Sequence, residues 1–496
     1  MDALHGILGG LGVIMTPANL YYCLIGSFVG TLIGVLPGIG PLAALALLMP
    51  MTFTLTPVAS IAMLAAMFYG AMYGGSTTSI LVNIPGEAAS VVTCLDGHQM
   101  ARQGRAGVAL GMAAIGSFVA GTLSLVVMTF FSPMLTSAAL TFGPPENFAL
   151  MLLGLVCTVL MIQGGALKGI MMIGLGLFLA TIGTDLVDGK ERFTFGSVDL
   201  SAGFDLVAVV IGLFGVSEIL LNVESIIKNE VVATRIRNLL PGWQDWKASW
   251  KPILRGSGLG FVLGVIPGGG PVTASFMSYA MERRIADDPT RFGKGAIEGL
   301  AGPESANNAA VASGMVPLLS LGLPGNAVTA LLMGALIIQG VQPGPMMMTQ
   351  HPEVFWGVMA SMFVGNVFLL ILNLPLIGLW VQLLRVPYAV LFPIILLLAV
   401  VGTYSTNKNF FDLYVMIGFG VLGYLLRKFD YEMGPLLLSF VLAPMLEQAL
   451  RQSMVMSADG AAIFLSRPIT LTLLAVSLVL VLMILQRGFK TKGDTR

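Results

Sequence analysis

The chain has 496 residues, 56% of them hydrophobic and only 10% charged. Soluble domains carry about a quarter charged residues, so this composition describes an integral membrane protein. Lysine plus arginine equals aspartate plus glutamate, 25 each, which leaves no basic field for nucleic acid.

From Ala3 to Gly86 there is no Asp, Glu, Lys or Arg, and further uncharged runs cover 106–145, 256–281, 305–352, 354–384 and 468–486. Each can cross ~30 Å of hydrocarbon as a helix at least once. Runs of this kind argue against a β-barrel, which shows ~10-residue alternating segments. The expected fold is therefore an all-α integral membrane protein with about 10–12 transmembrane segments, some of them broken helices or re-entrant hairpins.

Residues 1–17 form a short glycine-rich lead expected at the interface. The start lacks the basic residues of a cleaved signal peptide. A first transmembrane repeat is expected over 18–227, with an apolar run reaching GTLIGVLPGIGP (30–41). Helix follows over 57–75, then an interruption at GGSTTSILVNIPG (74–86) and a polar turn at DGHQMARQGR (96–105). Spans are expected near 106–131, 146–163, 167–186 and 204–226. A cytoplasmic basic linker, 228–255, carries Lys228, Arg235, Arg237, Lys247, Lys251 and Arg255. A second repeat, 256–450, opens with GFVLGVIPGGGP (260–271), and 451–496 holds one extra helix and a cytoplasmic tail.

The repeat is read from three matches in the same order. GVLPGIGP aligns with GVIPGGGP, placing Pro37 on Pro267; IPGEAAS (84–90) aligns with LPGNAVT (323–329); MIGLG (172–176) aligns with MIGFG (416–420). Proline removes an N–H donor and glycine admits unusual backbone angles, so the first two motifs break helices. In a membrane such backbone survives only inside protein or beside a polar cavity, and paired breaks in two halves point to a transporter's binding site. One threading puts the 228–255 linker, Arg102, Arg105, Arg385, Arg427, Lys428, Arg487, Lys490 and Lys492 in the cytoplasm and 187–203 outside. It gives the two halves opposite orientations.

Polar residues gather at the breaks. Ser76, Thr77, Thr78 and Asn83 precede Pro85-Gly86, while Ser305, Asn307 and Asn308 precede Pro324, Gly325 and Asn326. Hydroxyls, amides and half-helix N-termini can hold a transported anion without a fixed charge that would trap it. These positions form the expected substrate site. Carbonyls freed at Pro37, Gly38, Gly40, Pro267, Gly268 and Gly270, together with Glu304, form the expected cation site, for Na⁺ or a proton. A lone serine or threonine in such a helix more often packs against a neighbour. Glu87 reads as a helix cap, Asp96, His98 and His351 as solvated residues near turns, and Glu218 and Glu447 as interfacial span ends. Cys23, Cys94 and Cys157 are far apart and read as small core residues, and the 30 methionines as flexible filler. No metal cluster, Walker A motif or HExxH motif is present. No organic cofactor is expected.

These residues sit in longer strings that resemble the large membrane subunit of tripartite tricarboxylate transporters, the TctA family. The strings are GVLPGIGPLAALALLMPMTF (34–53), YGGSTTSILVNIPGEAASVVTCLDGHQMARQGR (73–105) and EGLAGPESANNAAVASGMVPLLSLGLPGNAVTALLMGALIIQGVQPGP (298–345). The resemblance covers nearly the whole chain and shows no gross departure. It implies a multi-pass carrier of the bacterial inner membrane that works with a small TctB-like membrane subunit and a periplasmic TctC-like solute-binding protein. It also implies uptake of citrate-like or other organic carboxylates on an ion gradient, commonly Na⁺, by an elevator-like movement. The competing readings are a passive anion channel, a membrane scaffold with no substrate, and a membrane-embedded enzyme. The last lacks a paired nucleophile and base in the apolar segments.

Overall fold

The computed structural model describes residues 3–36, 40–162, 165–185, 188–224, 238–384, 388–457 and 460–490. In chain order, α1 (Ala3–Ile14) leads into α2 (Pro17–Val35), α3 (Pro41–Leu48), α4 (Pro57–Val82), α5 (Val91–Met100) and α6 (Ala106–Ala139). Next come α7 (Pro144–Met161), α8 (Ala166–Ala180), a small hairpin of β1 (Gly183–Thr184) and β2 (Glu191–Arg192), and α9 (Leu206–Glu224). The second half holds α10 (Trp243–Val265), α11 (Gly270–Ile285), α12 (Glu298–Ser313), α13 (Met315–Leu321), α14 (Ala327–Ile338) and α15 (Pro352–Asn373). It closes with α16 (Tyr388–Asn407), α17 (Phe410–Lys428), α18 (Gly434–Met456) and α19 (Pro468–Lys490). Proline opens many of these helices, where its missing N–H costs no hydrogen bond.

Among the described residues, eight helices are long and apolar enough to cross a membrane, and nine spans result if the bent pair Gly460–Ser466 and Pro468–Ile484 counts as one. Four shorter apolar helices, α1, α8, α14 and the segment Pro41–Thr52, supply the broken pieces. The chain is an all-α multi-pass membrane protein.

Its centre is two helices, one from each half. α4 is buried along almost its entire length, and α12 is buried from Gly299 to Ser313. Each is gripped by a glycine ladder. Gly26, Gly30 and Gly34 of α2 lie on the carbonyls of Met63, Met67 and Ala71 of α4; Gly256, Gly260 and Gly264 of α10 lie on those of Gly302, Ala306 and Ala310 of α12. A Cβ at any of the six would fall closer than 3.0 Å to backbone. Small residues that let helix backbones touch are the main packing device where lipid offers no hydrophobic drive. Both ladders space their glycines four residues apart and set each against a backbone carbonyl of the partner helix.

The halves then cross over. The Ala88–Ser90 turn after the first Pro-Gly break packs on α11, and α14, after the second break, packs on α3 and α4. Farther out, α8 packs on α18 while α17 packs on α9, with Gly176 against the Leu436 carbonyl and Gly212 against that of Met416.

Several sequence expectations change. The 74–86 stretch is helical to Val82, and the break is confined to 83–87. Its hydroxyls do not break the helix because they meet acceptors on packed neighbours, as Thr78 donates to the Val35 carbonyl of α2 at 2.7 Å. PESANN likewise lies inside α12. The 96–105 turn is helix to Met100, then one wide π turn that closes at Gly104, φ 81°. The basic linker is not loop throughout. Residues 243–255 begin α10, where the Asp245 carboxylate accepts the Gly242 N–H at 3.1 Å. Lys228, Arg235 and Arg237 lie outside the described residues.

Candidate functional site

Where α4, α5, α6 and α12 meet, a carboxylate is surrounded by hydroxyls. Glu304 of α12 is 1% exposed. Its Oε2 accepts from Ser76 of α4 at 2.7 Å and lies 3.5 Å from the Ser117 hydroxyl of α6, while its Oε1 accepts from Thr93 of α5. One turn on, Asn308 donates through Nδ2 to Ser117 Oγ at 2.7 Å and to the Glu304 carbonyl at 3.1 Å. Helical spacing puts Glu304, Asn307 and Asn308 on one face, which α12 turns toward the first half.

Asn307 Nδ2 reaches Glu87 Oε1 at 3.4 Å, tying that face to the first Pro-Gly break. Glu87 is the cap expected of it. Its Oε2 accepts the Ala89 N–H at 2.6 Å, and the Ser90 hydroxyl completes the box. Asn326 and Thr329 repeat this box in the second half with an amide in place of the carboxylate. Neither Glu304 nor Glu87 has a cationic partner among the described residues.

Two buried acceptors at this junction, Asn307 Oδ1 and Asn308 Oδ1, have no donor. Together with a carboxylate and three hydroxyl oxygens they form an oxygen-only set, the kind that suits a hard cation. Beside them Tyr73, Ser76, Thr77, Ser117 and Asn373 line a cavity of about 10 Å³. That is room for about one water, so the junction is closed to an organic acid in this conformation. Tyr73 in turn donates to Asn366 at 2.7 Å, which bonds α6 through the Phe118 carbonyl at 3.0 Å.

Of the positions expected from the sequence, Ser76, Thr77, Glu304 and Asn308 come together here, and Asn307 joins through Glu87. Ser305 bonds the Gly116 carbonyl at 3.2 Å, and Thr78 satisfies the Val35 carbonyl next to the first loop. Asn83 ends α4 in a left-handed conformation, φ 60°, and is exposed, as is Pro85; Gly86 is buried against the Gly34 carbonyl. Pro324 and Gly325 are buried; the Gly325 carbonyl accepts the Gly268 N–H at 2.7 Å, and Asn326 caps its own helix. Gly40 caps α3, Gly270 opens α11, and Pro267 and Gly268 lie against α7. Pro37 and Gly38 fall outside the described residues. The loop glycines and prolines thus border the carboxylate cluster's supporting helices without touching Glu304.

Thr93 and Ser117 are the ligands that sequence reasoning missed. A hydroxyl such as Ser117, one of several along α6, gives no local sign of what it faces. Asp96, read as solvated, is fully buried. Its Oδ1 accepts the Gly295 and Ala296 N–H groups, each at 2.8 Å, and its Oδ2 accepts from Tyr279 at 3.0 Å. It clasps α5 to the start of α12. His98 is half-buried, with Nδ1 3.0 Å from the Ile80 carbonyl.

The chain matches the model of the Tripartite tricarboxylate transporter TctA family over residues 20–438. It belongs to that family. A 52.8 kDa uncharacterized protein of the TAR-I ttuC′ 3′ region of Agrobacterium vitis is 49% identical over 494 residues, covering 100% of this chain and 98% of that protein. An uncharacterized protein of the TAR-II ttuC′ 3′ region of the same organism is 52% identical over 235 residues, 47% of this chain and 97% of that protein. No solved structure matches.

Proposed function

We propose that this TctA protein is the permease through which organic carboxylates, tricarboxylates among them, enter across a bacterial inner membrane, driven by a cation gradient. A TctC-like periplasmic protein delivers the substrate, and a TctB-like small membrane subunit completes the complex. The observation that carries this reading is the Glu304 cluster. A buried carboxylate without a basic partner is costly unless a cation accompanies it, and here a carboxylate of the second half takes its hydrogen bonds from hydroxyls of the first. Cation entry at Glu304, Asn307 and Asn308 neutralises that charge, and opening of the junction exposes hydroxyl and amide donors to substrate. Alternating access follows if the central helices around α4 and α12 move, elevator-like, against the outer group of α7, α8, α9, α17 and α18, the two halves running in opposite directions.

The test is uptake by proteoliposomes containing both membrane subunits, with candidate binding proteins supplied outside and Na⁺ and pH gradients varied separately. Uptake is expected to require one binding protein and one of the two gradients, and Glu304→Gln is expected to abolish the gradient dependence while the protein still inserts. Flux indifferent to the binding protein and to both gradients indicates a channel and sinks the proposal.

A further inference from the structure

A second polar cavity lies at the other end of α12 from its Pro-Gly break. Its volume is about 380 Å³, within the range of small-ligand sites. Arg105 enters from the wide turn between α5 and α6, Ala248 from α10, and Thr290, Arg291 and Lys294 from the turn before α12. The backbone of 295–297 and Glu298 closes the wall.

Arg105 pairs with Asp245, and Arg291 pairs with Glu298 at 2.6 Å. Lys294 is in no ion pair within 4.0 Å among the described residues. The turn also carries a positive field that a nearby carboxylate feels. Asp288 is held below its ordinary pKa, first by the Thr290 hydroxyl and N–H and then by Arg291 and Lys294. Gly293 and Gly295 take left-handed angles, φ 79° and 101°, on either side of Lys294. That geometry turns successive N–H groups to one side, a known cradle for oxyanions. The cradle already holds one such oxygen, Asp96 Oδ1, on the Gly295 and Ala296 N–H groups. The lysine and the two arginines remain around the open volume.

We infer that this cavity binds a small oxyanion, a phosphate or carboxylate group, with Lys294 as the cation free of an ion pair and Arg105 and Arg291 as flanking donors. The Glu304 junction is closed by helices around a buried carboxylate, whereas this cavity is open and carries three cationic side chains in its lining. An anion seated here abuts the Asp96 clasp and the first turn of the helix that carries Glu304, Asn307 and Asn308. Two sources share the chemistry, a soluble anion and the phosphate of an anionic lipid headgroup.

Binding is read without transport, so its failure is separate from failure of the permease reading. The purified chain is reconstituted in nanodiscs of phosphatidylcholine, with or without phosphatidylglycerol, and its thermal midpoint is followed against inorganic phosphate at constant ionic strength. A rise with phosphate in phosphatidylcholine alone identifies the soluble anion; a rise only with phosphatidylglycerol identifies the headgroup. In either case Lys294→Gln is expected to raise the half-saturating concentration roughly tenfold, Lys294→Arg to restore it, and Lys251→Gln, outside the cavity lining, to leave it unchanged. The inference is overturned if neither anion shifts the midpoint, or if Lys294→Gln titrates like the unaltered protein.

Discussion

Ser76 and Ser305 look alike in the sequence, each a small hydroxyl beside a break, but their partners separate them. Ser76 donates to the Glu304 carboxylate, whereas Ser305 donates to a backbone carbonyl of α6. A hydrogen bond to a charged group is worth roughly 1.5–3 kcal/mol, a change of about 10- to 100-fold. Ser76→Ala is therefore expected to lower carboxylate uptake by that factor in reconstituted vesicles, while Ser305→Ala stays near the unaltered rate. Equal loss in both would mean that the hydroxyls serve packing alone. The residue types at the cluster were legible because glutamate, asparagine and serine are rare inside apolar helices. Thr93 and Ser117 were not, since which face of α5 and α6 turns toward Glu304 is settled by packing between distant segments.

Among elements, the glycine ladders make the sharpest demand on the sequence. Gly260 touches the Ala306 carbonyl, yet Gly258, two residues away on the same helix, has open space where a Cβ would go. Overpacking costs typically about 1–3 kcal/mol, and alanine in place of an unconstrained helical glycine gains up to about 1 kcal/mol. Gly260→Ala is expected to lower the thermal midpoint and folded yield in detergent, and Gly258→Ala to hold or raise them. The reverse order would remove the ladder as a packing device. The ladder glycines were legible as residues because backbone contact requires them: Gly34 and Gly264, aligned in the sequence, face the carbonyls of Ala71 and Ala310. The extent of each break was misread for a related reason. A cluster such as Ser-Thr-Thr-Ser ends a helix in water, but here its hydroxyls find partners on neighbouring segments, Glu304 for Ser76, the Val35 carbonyl for Thr78 and Ser90 for Ser79, and the helix runs on.

At the scale of the whole molecule, the exchange of α8 and α17 between halves means that no motion can part the two repeats as sequence blocks without unpacking Gly176 and Gly212. The outer helices are bound together further by Arg192 of the hairpin, which pairs with Glu447 of α18 at 2.8 Å, and by Arg451, which reaches Asp185 at 2.7 Å. The movement proposed above would run instead between this outer group and the central helices. The second Pro-Gly loop lies on that boundary, with Pro267 Cβ 3.5 Å from where a Cβ on Gly154 of α7 would stand. A disulfide needs Cβ atoms about 3.5–4.5 Å apart, so cysteines at these two positions can bridge it. In a background with Cys23, Cys94 and Cys157 replaced by serine, Gly154→Cys with Pro267→Cys is expected to stop uptake when oxidised and to recover it on reduction. The reduced protein controls for loss of the proline itself. If the oxidised, fully bridged protein transports as fast as the reduced one, α7 and the loop travel together, and the moving body has to be drawn with α7 inside it.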